Sequence, residues 1–333
     1  MAHEGVMEYI EAIKPKVEAE IERIMPRNKE PQAVYKIIWD LLDRGGKRFR
    51  PALCMLSCEA VGGDPDSVLP AAVSIELFHN FTLIHDDIED DSKMRRGKPC
   101  LHHIYGVPLA INAGDGLFMW VFQSLFNLKF EPEKIIETEK RLCNAFSLVL
   151  DGQGIELEWH KNKTWDITEE NYFSMVEGKT GALLGAACSV GAYLGGGSEE
   201  EIKRLEEFGK KLGIAFQIRD DVLNLIGEED LYKKEIGGDI REGKRTLSTI
   251  YALRNCEQKD REKLLVVLGK EASSDEEIQE VIDILRNCGA VDYAKRKCRK
   301  ISGEAKMCIE QLPDSRTKRM LLELADFLVM REF

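Results

Sequence analysis

The chain lacks any Cys-x-x-Cys pair, although it carries nine cysteines in 333 residues. An odd number of unpaired thiols fits a reducing compartment and excludes a disulfide frame or a zinc ribbon. The segment from Met1 to Arg27 carries charges throughout and contains no apolar core of a secretory signal, and no later apolar run reads as long enough to cross a bilayer. A soluble cytoplasmic protein without a transmembrane segment is therefore expected. Linkers rich in Pro, Gly or Ser, low-complexity tracts and short repeats are also missing, so residues 1–333 read as one domain. A basic excess is absent too: 47 Lys and Arg face 59 Asp and Glu, a net charge of −12. That balance argues against nucleic acid as a partner and leaves the binding of any anionic substrate to local basic clusters. Gly178-Lys179-Thr180 lacks the upstream glycine spacing of a phosphate-binding loop, so nucleotide hydrolysis is a poor fit.

What the chain has in quantity is helical periodicity. Apolar residues recur three or four apart over 7–24, 32–43, 51–61, 68–94, 107–128, 132–161, 168–195, 199–226, 245–255, 259–268, 275–288, 290–311 and 315–331. Ser198 with Glu201, and Ser274 with Glu277, match capping boxes. Arg95-Arg96-Gly97-Lys98-Pro99 reads as a helix stop. No sustained period-2 alternation bounded by hairpin turns appears. The expectation is an all-α bundle of about ten to thirteen helices. Cys54 and Cys58, four apart on an apolar helix, read as core.

Two aspartate clusters, Asp86-Asp87-Ile88-Glu89-Asp90 and Asp220-Asp221-Val222-Leu223-Asn224, supply the chemistry. In each, the first and fifth residues stand at i and i+4, so their oxygens converge on one helix face. Crowded carboxylates repel, and both clusters follow apolar runs that face an interior, where unpaired charge is costly. A counter-cation is implied. Hard oxygen ligands at this spacing suit Mg²⁺, which completes its shell with water and substrate phosphate oxygens. The implied substrate is a phosphate ester or diphosphate. On the other side such a site needs cations, and Gly45-Gly46-Lys47-Arg48-Phe49-Arg50-Pro51 places three of them at the mouth of a helix. Arg95 and Arg96 follow the first cluster, and further lysines stand in the glycine-flanked stretches around Lys179 and Lys244.

Gly46-Lys47-Arg48-Phe49-Arg50-Pro51, His85-Asp86-Asp87-Ile88-Glu89-Asp90 continuing to Arg95-Arg96-Gly97, Lys179-Thr180, Phe216-Gln217-Ile218-Arg219-Asp220-Asp221 and Gly238-Asp239-Ile240 through Gly243-Lys244-Arg245-Thr246 together resemble the trans-polyprenyl diphosphate synthase family, in order and spacing, over about residues 30–250. The resemblance implies an isoprenoid-synthase-type bundle around a deep central cavity. It also implies a reaction in which an allylic diphosphate, bound through about three Mg²⁺, loses pyrophosphate to give an allylic carbocation. The double bond of isopentenyl diphosphate then attacks this cation, and a proton is lost.

By the same resemblance Asp86 and Asp90 bind two ions and Asp220 the third, with Asp87, Asp221 and Asp239 in support. Arg95, Lys179, Lys234 and Lys244 hold the allylic diphosphate; Lys47, Arg50, His79 and Arg96 hold isopentenyl diphosphate; Thr180 and Gln217 line the reaction centre. Homodimerisation is carried over from the family. The position of Phe81 is one where the family places a length-limiting aromatic, with Phe78 below it and small Thr82 above, which implies a short product. Geranylgeranyl diphosphate (C20) is expected, with the farnesyl (C15) and geranylfarnesyl (C25) products as neighbours. Asn224 stands where many members carry a third Asp, which implies weakened metal affinity at most. The absence of an insertion between Asp87 and Asp90 favours an archaeal or eukaryotic-like short-chain enzyme.

Two other classes compete with this reading. A class I terpene cyclase ionises the same kind of substrate but binds no second diphosphate, so Lys47, Arg50 and the second aspartate pair count against it. A noncatalytic partner subunit would be expected to have lost aspartates that are retained here. Outside the motifs, His79 taken without the resemblance reads as a core histidine rather than a ligand, and His102-His103 read as capping a loop after Pro99, although such a pair can bind metal. Gly114 and Gly116 read as permitting close helix packing, and Gln153 and Glu156 as cavity-facing or polar surface.

Overall fold

The computed structural model describes residues 4–227, 236–268, 270 and 272–330. Lys234 lies outside the described residues. The helices are α1 (Glu4–Ile24), α2 (Gln32–Asp43), α3 (Phe49–Ala60), α4 (Leu69–Glu89), α5 (Leu101–Tyr105), α6 (Val107–Leu125), α7 (Pro132–Lys161), α8 (Glu169–Val176), α9 (Ala182–Leu194), α10 (Glu199–Ile226), α11 (Gly238–Arg241), α12 (Leu247–Asn255), α13 (Gln258–Leu268), α14 (Asp275–Asn287), α15 (Ala290–Cys308) and α16 (Arg316–Met330). A 3₁₀ turn precedes α4 at Pro65–Val68, and one π-helical turn, Glu177–Gly181, joins α8 to α9. Strand among the described residues is confined to a hairpin, β1 (Met94–Arg95) and β2 (Lys98–Pro99). The fold is all-α, as the periodicity requires.

Caps set many of these boundaries. Ser274 Oγ accepts the Glu277 N–H while Glu277 accepts the Ser274 N–H, and Ser198 with Glu201 does the same. A third box, Thr168 with Asn171, opens α8. The expected helix over 68–94 ends earlier, at Glu89. Asp91 adopts the left-handed conformation (φ 47°), its N–H bonds the Ile88 carbonyl, and the Ser92 N–H bonds the Asp87 carbonyl. That is a Schellman stop with Asp where Gly is usual. The expected helix stop at 95–99 is instead a hairpin, whose turn residues Arg96 (φ 52°) and Gly97 (φ 76°) both take the positive φ of a type I′ turn. Four residues of ladder are too short to leave a period-2 signal. The helix expected over 168–195 is interrupted by the π turn.

The described residues fall into two compact units. The first is drawn from Met1–Phe146, Leu184–Gly209 and Cys308–Leu324, the second from Ser147–Leu183, Lys210–Met307 and Ala325–Phe333. In the first, α4 is the central element and packs chiefly on α6 and α3. Val73, Leu77 and Phe78 of α4, Leu53 and Leu56 of α3, and Leu117 and Val121 of α6 are fully buried. Each such side chain contributes about 1.5–3 kcal/mol of burial. Contrary to the sequence expectation, one helix, Pro65–Glu89, is long and apolar enough by length and composition to cross a membrane, but it lies mostly buried in this unit as a core helix. In the second unit α12, α13 and α14 pack together over Leu247, Ile250, Leu264, Val281 and Leu285. Cys54 and Cys58 are buried, and among the described residues no cysteine forms a disulfide.

Candidate active site

The first unit presents the first aspartate cluster at the C-terminal end of α4. Asp90 is the C-cap, its N–H bonded to the Asp86 carbonyl at 2.9 Å, so the i, i+4 relation survives to the last turn. The paired aspartates differ. Asp87 is buried and accepts from Arg95 Nε at 2.8 Å, whereas Asp86 is partly exposed and lies 3.7 Å from Arg95. Burial works against the Arg95 charge, but hydrogen bonding and attraction from Asp87, and then Asp86, outweigh it and raise its pKa. The hairpin that carries Arg95 is held by Arg44, which donates to the carbonyls of Pro99 (2.8 Å) and Arg95 (3.3 Å).

Two turns back on the same helix, His79 faces a basic cluster. Burial, and then Arg50, Arg96, Arg95 and Arg48, push its pKa well below the ordinary imidazole value, so the ring is neutral. Arg96 is itself lowered to about 10 by burial and by the neighbouring arginines, with Glu76 opposing. Arg96 donates to the Gly45 carbonyl. A methyl on Gly46 would stand 2.9 Å from Arg48 Nη1 and 3.3 Å from Arg96 Nη2, so glycine is what lets both guanidinium groups approach this loop. Arg48 is buried, left-handed (φ 53°), and donates to Glu76 Oε1 at 2.8 Å, with Asn80 Nδ2 at 3.1 Å on the same oxygen. This leaves α3 to begin at Phe49, with Arg50 and Pro51 in its first turn. So many like charges over one helix mouth are chemically suited to a multivalent anion.

Below Asp86 on α4 stands an aromatic cluster. Phe78 stacks on Phe146 at 3.8 Å between centroids and meets Phe81 at 5.6 Å and Phe118 at 6.1 Å; Phe81 meets Phe118 at 4.9 Å. Phe118 in turn meets Phe122 at 5.2 Å. Thr82 returns its hydroxyl to the His79 carbonyl at 2.8 Å and is only partly buried. Gly114 of α6 makes room for the His85 ring, the close packing expected of it.

The second unit repeats the division of labour. Asp221 is buried, accepting from Tyr172 Oη at 2.9 Å and Gln217 Nε2 at 2.8 Å, while Asp220 is partly exposed. Burial, and then repulsion from Asp239, raise the Asp221 pKa to about 7. Thr180 Oγ1 donates to Gln217 Oε1 at 3.0 Å, and Lys179 pairs with Glu156. Two glycine contacts set this geometry. Leu148 O and Met175 O stand 2.8 Å from where methyls on Gly178 and Gly152 would be, so the π turn lies directly on α7, one turn before Glu156. A methyl on Gly213 would meet Gly181 Cα at 2.7 Å, which brings Thr180 against α10 one turn before Gln217. π turns recur at functional sites because they reset side-chain direction within a helix. Lys244 pairs with Glu242 at 2.6 Å and lies 3.7 Å from Asp239. Asn224 Oδ1 accepts the Asp239 N–H at 3.0 Å, so this departure from the family pattern supports the α11 turn.

Within the first unit the structure thus gathers Asp86, Asp87 and Arg95, and separately His79, Arg50 and Arg96. Within the second it gathers Lys179 with Glu156, and Thr180, Gln217 and Asp221 in one chain of hydrogen bonds. Sequence reasoning missed Tyr172, Glu76 and Asn80, and it counted Arg48 among the three cations of the helix mouth, where the structure buries it on Glu76. Glu76 and Asn80, four apart in an apolar helix, carried a readable signal; Tyr172 carried none, since its partner is distant in the chain. Glu156, set aside as an ambiguous polar residue, is the partner of Lys179. His102 and His103 belong to the short helix α5 and do not cap a loop.

Comparison with known proteins bears on the same residues. The polyprenyl synthetase family model matches residues 31–285. A short chain isoprenyl diphosphate synthase of Methanothermobacter thermautotrophicus is 38% identical over 330 residues, 98% of this chain and 100% of that protein. A geranylgeranyl diphosphate synthase of Methanosarcina mazei is 39% identical over 317 residues, 95% of each chain. The crystal structure of geranylgeranyl pyrophosphate synthetase from Pyrococcus horikoshii superposes with a TM-score of 0.91 at 39% identity, covering 98% of this chain and 99% of that one. The chain belongs to the polyprenyl synthetase family.

Proposed function

We propose that the protein is a short-chain trans-isoprenyl diphosphate synthase, joining isopentenyl diphosphate to dimethylallyl, geranyl and farnesyl diphosphates, with geranylgeranyl diphosphate as its principal product. The observation that carries this reading is on α4. One end of that helix offers partly exposed metal-type carboxylates, and two turns earlier a neutral His79 stands among arginines. One device binds an anion through metal and the other without it. A synthase with two diphosphate substrates uses both; a terpene cyclase uses only the first. The names of relatives at 34–39% identity, geranylgeranyl and geranylfarnesyl diphosphate synthases among them, support the same class.

The donor sets fit Mg²⁺, since Asp86, Asp90 and Asp220 offer hard carboxylate oxygens with partial solvent access, and Asp87 and Asp221 lie buried against Arg95 and against Tyr172 and Gln217. We assign about three ions to these ligands. When bound, Mg²⁺ neutralises the charge that develops on the departing pyrophosphate. Asp87 fixes Arg95, and Asp221 fixes Gln217. Arg95, Lys179 and Lys244 then hold the allylic diphosphate, with Lys234 assigned to the same task from sequence alone. Lys47, Arg50, His79 and Arg96 hold isopentenyl diphosphate. As the allylic carbon–oxygen bond breaks, the Thr180 hydroxyl and Gln217 amide present dipoles to the cation. The new carbon–carbon bond forms to the isopentenyl double bond, and the departed pyrophosphate takes the proton whose loss restores an alkene. Phe78 and Phe81, under Thr82, form the floor that limits the chain. Residues 1–333 act as one catalytic domain, in a cytoplasmic homodimer.

Incubating the purified chain with Mg²⁺, labelled isopentenyl diphosphate and an allylic primer tests the class. Label passing into an acid-labile allylic diphosphate is expected. Release of a cyclic hydrocarbon without isopentenyl incorporation would indicate a cyclase, and no turnover would indicate a noncatalytic subunit.

A further inference from the structure

The stop of α4 creates a second cluster of ligating groups that the synthase chemistry does not use. Asp91, left-handed at the end of the Schellman motif, points one carboxylate oxygen at both histidines of α5. Its Oδ1 lies 3.7 Å from His102 Nε2 and 3.8 Å from His103 Nε2, while Oδ2 accepts from Lys93 at 2.6 Å. The two imidazole rings stand 4.1 Å apart between centroids, and the ligating atoms of all three residues lie within 4.8 Å of one another. Hydrogen bonds do not explain the arrangement, because both distances to Oδ1 exceed hydrogen-bond range. His102 makes the point sharply. It is only 8% exposed, and neither of its ring nitrogens has a hydrogen-bond partner. A buried imidazole with two unsatisfied nitrogens is costly unless something else occupies one of them.

We propose that Asp91, His102 and His103 form a binding site for one divalent transition-metal ion, of which Zn²⁺ is the type, separate from the Mg²⁺ ligands Asp86, Asp90 and Asp220. Two imidazoles and one carboxylate are a donor set that suits such ions, with nitrogen ligands that Mg²⁺ does not seek. The geometry fits as well. Bonds of about 2.0–2.1 Å in a tetrahedron put ligand atoms about 3.3 Å apart, so the two distances to Asp91, 3.7 and 3.8 Å, and the separation of the two histidines, within 4.8 Å, close with side-chain shifts of up to about 1.5 Å. The exposed sides of Asp91 and His103 leave the fourth position to water. Asp91 and His102 bracket the hairpin that carries Arg95 and Arg96, so the ion clamps that hairpin to the end of α4. Metal binding itself does not rest on the synthase reading, since the assay reads the metal alone.

The test uses the full-length chain, stripped with chelator and held in a large excess of Mg²⁺ to fill the oxygen-only sites. Zn²⁺ is titrated by calorimetry and Co²⁺ by visible absorption. One tight equivalent is expected, with a Co²⁺ spectrum of low coordination number and nitrogen ligation. Loss of a mere supporting group commonly weakens metal binding about 10–100-fold, so His103→Ala and Asp91→Asn, both at exposed positions, should weaken it at least that much. An Asp86→Asn/Asp220→Asn double variant should keep it. Amide exchange over residues 92–100 should slow on adding Zn²⁺ to the wild type and not to His103→Ala. Undiminished binding in His103→Ala and Asp91→Asn, no binding under excess Mg²⁺, or loss in the double variant instead would overturn the site; exchange unchanged by Zn²⁺ would overturn the clamp.

Discussion

Truncating the aromatic floor should lengthen the product by a countable step. Phe81 lies five residues before Asp86 and Phe78 eight, so at 1.5 Å per residue the rings stand about 7.5 and 12 Å along α4 from the metal-type carboxylate. The difference, about 4.5 Å, is the useful figure. Four carbon–carbon bonds of about 1.5 Å, each advancing about 1.25 Å along an extended chain, give an isoprene unit of about 5 Å. Each ring therefore blocks about one C5 unit. Phe81→Ala should shift the main product from C20 to C25, and Phe81→Ala/Phe78→Ala should extend it to C30. Thr82→Phe, which fills the space above the floor, should shorten it. The rings also hold the core: Phe78 is fully buried and stacked on Phe146, so its truncation costs about 3–5 kcal/mol, a large share of the about 5–15 kcal/mol that holds a typical domain folded. Thermal melts must accompany the assay, in which dephosphorylated products are resolved by reversed-phase chromatography. A folded double variant with the wild-type distribution would refute the reasoning and move the floor to Phe118 and Phe122 of α6.

Asp86→Ala, Asp90→Ala and Asp220→Ala should each lower turnover about 10²–10³-fold with the helical spectrum intact, since each removes charge stabilisation realised in the transition state; near-native rates at low Mg²⁺ would contradict the metal assignment. Lys47→Ala and Arg50→Ala should chiefly raise KM for isopentenyl diphosphate, whereas Arg95→Ala and Lys179→Ala should act on the allylic substrate, and the reverse pattern would exchange the two sites. Arg95→Ala should also lower Tm, because it leaves buried Asp87 without its counter-charge, at a cost of about 3–5 kcal/mol. His79 binds its proton less readily folded than unfolded, so its contribution to stability is present above the ordinary imidazole value of 6.5 and is lost as pH falls below it. His79→Asn should accordingly flatten the acid limb of a Tm-against-pH curve, and an unchanged limb would mean the ring is protonated in the fold.

Much of the scaffold was legible because caps and apolar spacing are local. The helices at 32–43, 132–161 and 199–226 run as the periodicity predicts, and both proposed capping boxes form. Where contacts set the outcome, local patterns failed. The stop of α4 depends on Asp91 taking a glycine-like conformation, and the hairpin after it is held by Arg44. The π turn depends on the glycines of α7 and α10. The candidate site divides in the same way. The i, i+4 spacing marked both aspartate pairs, but it could not tell which member of each is exposed; burial of Asp87 by Arg95 and of Asp221 by Tyr172 decides that.

Product length measures the central claim most directly. Full-length protein with Mg²⁺, farnesyl diphosphate and labelled isopentenyl diphosphate, followed by dephosphorylation and chromatography, should yield the C20 alcohol as the main labelled species. A main product of C30 or longer, or no labelled alcohol at all, would contradict the account.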